Sequence, residues 1–142
     1  MPYTSVTALV DRLGEDVLIQ LTDRASPPTG AIVSSVVDQA LANADAVIDA
    51  SLAMRYRLPL IAVPVVVADL ALSIAAYKLH RFAPDPKVKD DYDQALKDLG
   101  DIAAGRKKLE LAGIEAPTSG AGGVVTTDRA RDFTPENLHG FI

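Results

Sequence analysis

Two helical patterns flanking a proline-bounded break, over residues 36–77, constrain this chain more than any other feature. Val36, Val37, Ala40, Leu41, Ala44, Val47, Ile48 and Leu52 recur at helical spacing, which marks one face of a long helix for burial. Asp38, Asp45 and Asp49 fall on the opposite side, and Ser34 or Ser35 is the expected cap. Alanines at 40, 42, 44, 46, 50 and 53 are small enough to admit another helix closely. Pro59 disfavours the helical region at Leu58, so the helix is expected to end near Tyr56 or Arg57 and residues 58–63 to run extended. Pro64 suits a helical first turn because its missing N–H is not needed there. From it a second helix is expected to about Phe82, in which Val66, Val67, Leu70, Ala71, Ile74, Ala75 and Tyr77 leave only Asp69 and Ser73 as polar breaks before Lys78. A helix apolar nearly all round is buried nearly all round. In a chain of 142 residues that is surplus apolar surface, so a neighbouring subunit is expected to cover part of it.

The flanking segments are shorter and clearer at their ends. Ser5 is placed to cap a short helix carrying Val6, Leu9, Val10 and Leu13, which Gly14 ends; a second, over 15–21, opens on Glu15 and Asp16 at the positive end of its dipole. Residues 22–30, with Pro27, Pro28 and Gly30, read as a loop, and 82–86 as a turn. Val88, Tyr92, Ala95, Leu96, Leu99, Ile102 and Ala103 then define a final amphipathic helix closing at Gly105, with Gly100 inside it as a candidate close contact or bend. Arg106, Lys107 and Lys108 follow, where cations suit the dipole. From residue 112 to 124 glycines, Pro117 and Ser119 give a linker composition. The expected organisation is an all-α bundle of about five helices, two short and three long, over residues 1–110. Residues 111–142 make a linker and extended C-terminal arm that orders on a partner, with Val124, Val125, Arg129, Arg131, Phe133, Leu138 and Phe141 as its candidate contact residues.

Chemistry finds little foothold. Hydrophobic residues make up 49% and aromatics 5%, so the core must come from Ala, Leu, Val and Ile; the net charge of −5 argues against general DNA binding. With no cysteine there is no thiolate nucleophile or Cys-type zinc site. His80 and His139 stand far apart without a carboxylate or imidazole at helical spacing, so no metal or cofactor is expected. No serine lies in a nucleophile elbow, and Gly120, Gly122 and Gly123 lack the Lys of a phosphate-binding loop. Asp90, Asp91 and Asp93 read as an acidic first turn. The start has no secretory pattern, and the uncharged run over 58–68 is too short and too proline-rich to span a membrane. Asp69 stands out, since a carboxylate in an apolar helix needs a partner; Arg55 and Arg57 across the connector are the expected ones.

Tyr3, the run Leu9-Val10-Asp11-Arg12-Leu13-Gly14, Leu21-Thr22-Asp23, residues 40–49 as A-L-A-N-A-D-A-V-I-D, Arg55-Tyr56-Arg57-Leu58-Pro59-Leu60 and Val63-Pro64 together resemble the Mu-like phage and prophage proteins grouped with head-to-tail connectors. Ile74-Ala75-Ala76-Tyr77-Lys78-Leu79 and the Tyr92, Ala95, Leu96, Leu99 pattern extend the resemblance over roughly residues 2–109. It implies a non-enzymatic virion protein, made in the host cytoplasm and seated in the neck. Such a protein forms a ring, expected to hold twelve copies, that joins the portal protein to the next neck or tail protein and leaves a channel for DNA without sequence-specific binding. Under it, Arg55, Tyr56, Leu58, Pro59, Pro64 and Asp69 set the scaffold, and Arg106, Lys107 and Lys108 are candidates to face the portal or channel. The alternative is a small acidic regulatory or inhibitor protein that binds one partner through its Asp38, Asp45, Asp49 face.

Overall fold

A computed structural model describes residues 2–109, and its elements are five α-helices: α1 (Val6–Leu13), α2 (Glu15–Thr22), α3 (Ser34–Leu52), α4 (Val65–Leu79) and α5 (Pro86–Ala103). Two are short and three long, as the periodicity predicts. The arm residues Val124, Val125, Arg129, Arg131, Phe133, Leu138 and Phe141 lie outside the described residues.

The capping chemistry sets the short helices. Ser5 Oγ accepts from the Ala8 amide at 3.3 Å, and Gly14, at φ 87, closes α1 by donating to Val10 O at 2.8 Å. A side chain would be strained at that φ, which is why a glycine joins α1 to α2. The start of α3 departs from expectation, since Val33 rather than a serine is its cap. The Val33 N–H instead goes to Thr22 Oγ1 at 3.2 Å, and that fully buried hydroxyl itself donates to Leu18 O at 2.8 Å. At α5, Asp85 accepts from Lys87 N and Pro86 occupies the first turn, the pairing of cap and proline that a helix start favours.

Helix α4 is the centre, packed by α3, α5 and α1. Its Val67, Leu70, Ala71, Ile74, Ala75 and Leu79 meet Val37, Ala40, Ala44, Ile48 and Leu52 of α3 and Ala95, Leu99 and Ile102 of α5 in one core. The surplus expected of α4 is therefore mostly covered inside the protomer, because helices lie on three of its sides. What remains outside is its first turn, with Val65 85% and Val66 55% exposed.

Helix α3 ends at Leu52, short of Tyr56. Arg55 N and Tyr56 N both turn back onto Leu52 O, at 2.9 and 2.8 Å. The connector then bends at 58–59 and 61–62 instead of running extended, which drops Tyr56 and Leu60 into the core and leaves Arg57, Pro59 and Ile61 outside. Pro64 caps α4 rather than starting it, and the helix stops at Leu79, before Phe82. Gly100 meets nothing: a methyl group there would have no atom within 4 Å, so it marks no close contact.

The bundle has two ends. At one, the exit end, α3 finishes, α4 begins and α5 delivers the chain to Leu109. At the other, the turn end, α2 finishes beside the start of α3 and the tight connection from α4 to α5.

Candidate assembly surfaces

The Arg55-to-Pro64 run builds the exit end. The Tyr56 hydroxyl, on a buried ring, accepts from the Leu109 amide at 3.0 Å and so anchors the segment that follows α5. Gly105, at φ 76, turns the chain out of α5 directly against Arg55, where a Cβ would collide with the guanidinium. Leu58 is half-buried against the core and Pro64 half-buried at the start of α4. Outside these lie Met54, Ile61, Val65 and Val66, exposed by 74, 86, 85 and 55%. Four of the seven large hydrophobic side chains exposed among the described residues thus belong to this end of the bundle.

Beyond α5, Arg106 is held by Asp101 at 2.6 Å and Lys107 by Asp98 at 2.6 Å. The hydrogen bond from Lys107, with that from Gln94, holds the Asp98 carboxyl below its ordinary range despite some desolvation. Arg106 and Lys107, two of the three cations following α5, thus close the helix on itself instead of presenting free charge, and Lys108 stays exposed.

Asp69 is paired, but with Arg12 of α1 rather than Arg55 or Arg57: Arg12 Nη1 lies 2.6 Å from its Oδ1. The same guanidinium donates to Ser73 Oγ at 3.2 Å and stands 3.8 Å from Asp91, tying α1 to both α4 and α5. Asp69 is two-thirds exposed, so the pair is worth less than about 1 kcal/mol. Asp69→Asn should accordingly leave helicity unchanged and lower the melting temperature by only a few degrees; unfolding at room temperature would show that the contact is structural in a stronger sense.

The acidic stripe of α3 is also partly spoken for. Tyr3, buried at the N-terminus, donates its amide to Asp45 Oδ1 at 3.1 Å and its hydroxyl to Asp49 Oδ1. Only Asp38 of the three is exposed, which removes most of the face that an acidic inhibitor would offer. Asp91 pairs with Lys87 and Arg12, and Asp93 with Lys89, whose ammonium is held above its ordinary pKa by that hydrogen bond. Among the described residues no group of three His or carboxylate side chains is placed to hold a metal ion, and no helix is long and apolar enough to cross a membrane.

Two separated motifs meet in space: the Tyr77 and Tyr92 rings stack, centroids 4.0 Å apart and 8° from parallel, with Lys78 Nζ 5.8 Å from the Tyr92 centroid. The five helices, the Arg55-to-Pro64 run and these contacts all fall within the span that a profile of the bacteriophage Mu Gp36 family matches, residues 3–127. The chain belongs to that family. A Gp36-family relative, the Mu-like prophage FluMu protein gp36 of Haemophilus influenzae, is 26% identical over 140 residues, covering 99% of this chain and 98% of its own length. This Mu-like phage protein is thus matched by a Gp36 relative over nearly its whole sequence, most of residues 110–142 included.

Sequence reasoning missed the Tyr3 anchor, the Thr22 hydroxyl and Arg12. Tyr3 and Arg12 had no local signal, since their partners lie 42 or more residues away, and the Thr22 hydroxyl joins Leu18 to Val33, across the loop that follows it.

Proposed function

We propose that this Gp36-family protein is a non-enzymatic structural subunit of the virion neck, a head-to-tail connector. Copies of it form a ring between the portal and the next neck or tail protein, around a channel for DNA. The observation that carries this reading is the exit end: Met54, Ile61, Val65 and Val66 stand outside the core beside the point where Tyr56 releases the chain toward residues 110–142. A monomer working alone gains nothing from four apolar side chains in water; a subunit that packs on neighbours does. The pairing of Arg106 and Lys107 with their own helix suits a surface along which DNA slides, since free cations would grip phosphate.

Deleting residues from Gly120 onward tests the role. The truncated protein is expected to keep the helical circular-dichroism signal of the full chain while heads accumulate without attached tails. Normal, tailed particles from that deletion would defeat the proposal, as would an image of wild-type particles that puts the protein anywhere but the portal–tail junction.

A further inference from the structure

Several cations of the described residues are matched by a carboxylate: Arg12 by Asp69 and Asp91, Lys87 by Asp91, Lys89 by Asp93, Arg106 by Asp101 and Lys107 by Asp98. Arg24, Lys78 and Arg81 are not, and the fold gathers these three at the turn end. Arg24 and Lys78 line a hollow of about 320 Å³ with Ser35, Gln39 and Asn43. Arg24 is shared with a second hollow of about 280 Å³, whose other walls include Leu21, His80, Arg81 and Phe82. The carboxylate in that wall, Asp23, accepts from the Gly30 amide at 2.7 Å and offsets one of the three cations, leaving the balance of the lining positive. Arg24 is steadied by a 3.3 Å bond to Leu79 O, and Phe82 stands 83% exposed at the rim. The result is a continuous cationic groove with an aromatic edge, on a protein of net charge −5.

We infer that this groove receives the C-terminal segment, residues 128–142, of a neighbouring copy of the chain. The chemistry matches. Residues 128–142 carry Asp128, Asp132 and Glu136 against Arg129 and Arg131, a small acidic surplus, with Phe133, Leu138, Phe141 and Ile142 as apolar side chains for the Phe82 edge and the hollows. The geometry matches as well. Leu109, from which the segment starts, is held by Tyr56 at the exit end, whereas the groove opens at the turn end, the length of α4 away or about 22 Å. A donor at one end and an acceptor at the other make a heterologous contact, which repeats from copy to copy and closes when the rotation allows. The 33 residues beyond Leu109 reach as far as about 110 Å when extended, ample to cross to the next subunit. The inference rests on the ring reading for its biological setting, and it adds the contact that holds successive subunits together.

The absence of cysteine from the chain gives a direct test. Full-length protein carrying Ala83→Cys in the groove is mixed with full-length protein carrying Asn137→Cys, oxidised, and run on a non-reducing gel. A mixed dimer is expected, well above that formed with Ala62→Cys at the exit end. Adding Lys78→Glu and Arg81→Glu, both exposed positions, to the Ala83→Cys partner should cut its yield by about tenfold. A yield no greater than at Ala62, or one indifferent to charge reversal, would overturn the inference. So would a chain carrying both cysteines that closes only on itself as a monomer. The cross-link is read on isolated protein and neck location on particles. Cross-linking without neck location leaves the exchange standing and removes the neck role, and the converse result does the reverse.

Discussion

Tyr56→Ala is expected to cost about 3–5 kcal/mol, the usual loss when a buried aromatic ring is truncated, and so to take away a large share of the roughly 5–15 kcal/mol that holds a domain of this size. Tyr56 is 4% exposed and sits where three segments converge: the turn after α3, the bent connector and the chain leaving α5. Two contributions are separable. Tyr56→Phe keeps the ring and removes the bond accepted from Leu109 N, and should cost about 0.5–1.5 kcal/mol. Urea unfolding of the two variants gives the difference, and amide exchange at Leu109 gives its location: protected in the wild type, fast in the Phe variant. Equal losses in both variants would show that the hydroxyl, not the ring, carries the effect. Because Tyr56→Phe releases only the point of departure of the C-terminal segment, it should also weaken assembly while leaving the bundle folded. That distinguishes an assembly scaffold from a core residue of no further consequence.

The course of α3 to α5 was legible because each long helix carries its own periodicity and its own punctuation. Leu52, Ile48 and Ala44 recur as a core stripe must, Gly105 closes α5 in the left-handed conformation, and Ser5 and Gly14 bracket α1. What could not be read was where the periodicity gives way to tertiary demand. Residues 53–56, Ala-Met-Arg-Tyr, are compatible with helix, yet the chain turns at Leu52 because Tyr56 and Leu60 on both sides of Arg57, Leu58 and Pro59 have to reach the core. The partner of Asp69 failed for a related reason. Sequence proximity favoured Arg55 and Arg57, but the packing of α1 on α4 puts Arg12 there, 57 residues away. The cationic groove is legible only in three dimensions, since Arg24, Lys78 and Arg81 come from the end of α2 and the end of α4 and form no run. Nor does a chain pattern announce that the acidic stripe of α3 is satisfied by Tyr3.

That last contact should have the second largest effect. Tyr3→Phe removes a hydrogen bond to a carboxylate, which is expected to cost about 1.5–3 kcal/mol; a variant as stable as the wild type would show that water satisfies Asp49 equally well. The pH dependence has two parts. Burial, then the Asp49 hydrogen bond and the nearby carboxylates, push the Tyr3 phenol well above its ordinary value. Above about pH 10 the unfolded chain releases a proton that the folded one retains, so stability falls as pH rises there. Asp45 behaves in the same sense at lower pH. Burial raises its pKa from 3.8, only partly offset by the bond from Tyr3 N. Its contribution is present below the unfolded value and lost as pH rises through the folded one, so at neutral pH its charge opposes folding. Asn at 45 retains an oxygen to accept from Tyr3 N and carries no charge. Asp45→Asn should therefore gain on the wild type as pH rises above about 4 and level off once Asp45 is ionised in the folded chain, which unfolding curves at several pH values would read. Asp98 runs the other way: with its pKa lowered chiefly by Lys107, its contribution is present above the unfolded value and lost as the solution is acidified. Acid should consequently loosen the α5 end of the bundle before it touches the Tyr3 anchor. Amide exchange read as the pH is lowered below about 4, with protection lost around residues 98–107 first and retained around residue 45, is the expected pattern, and the reverse order would contradict the assignment of both carboxylates.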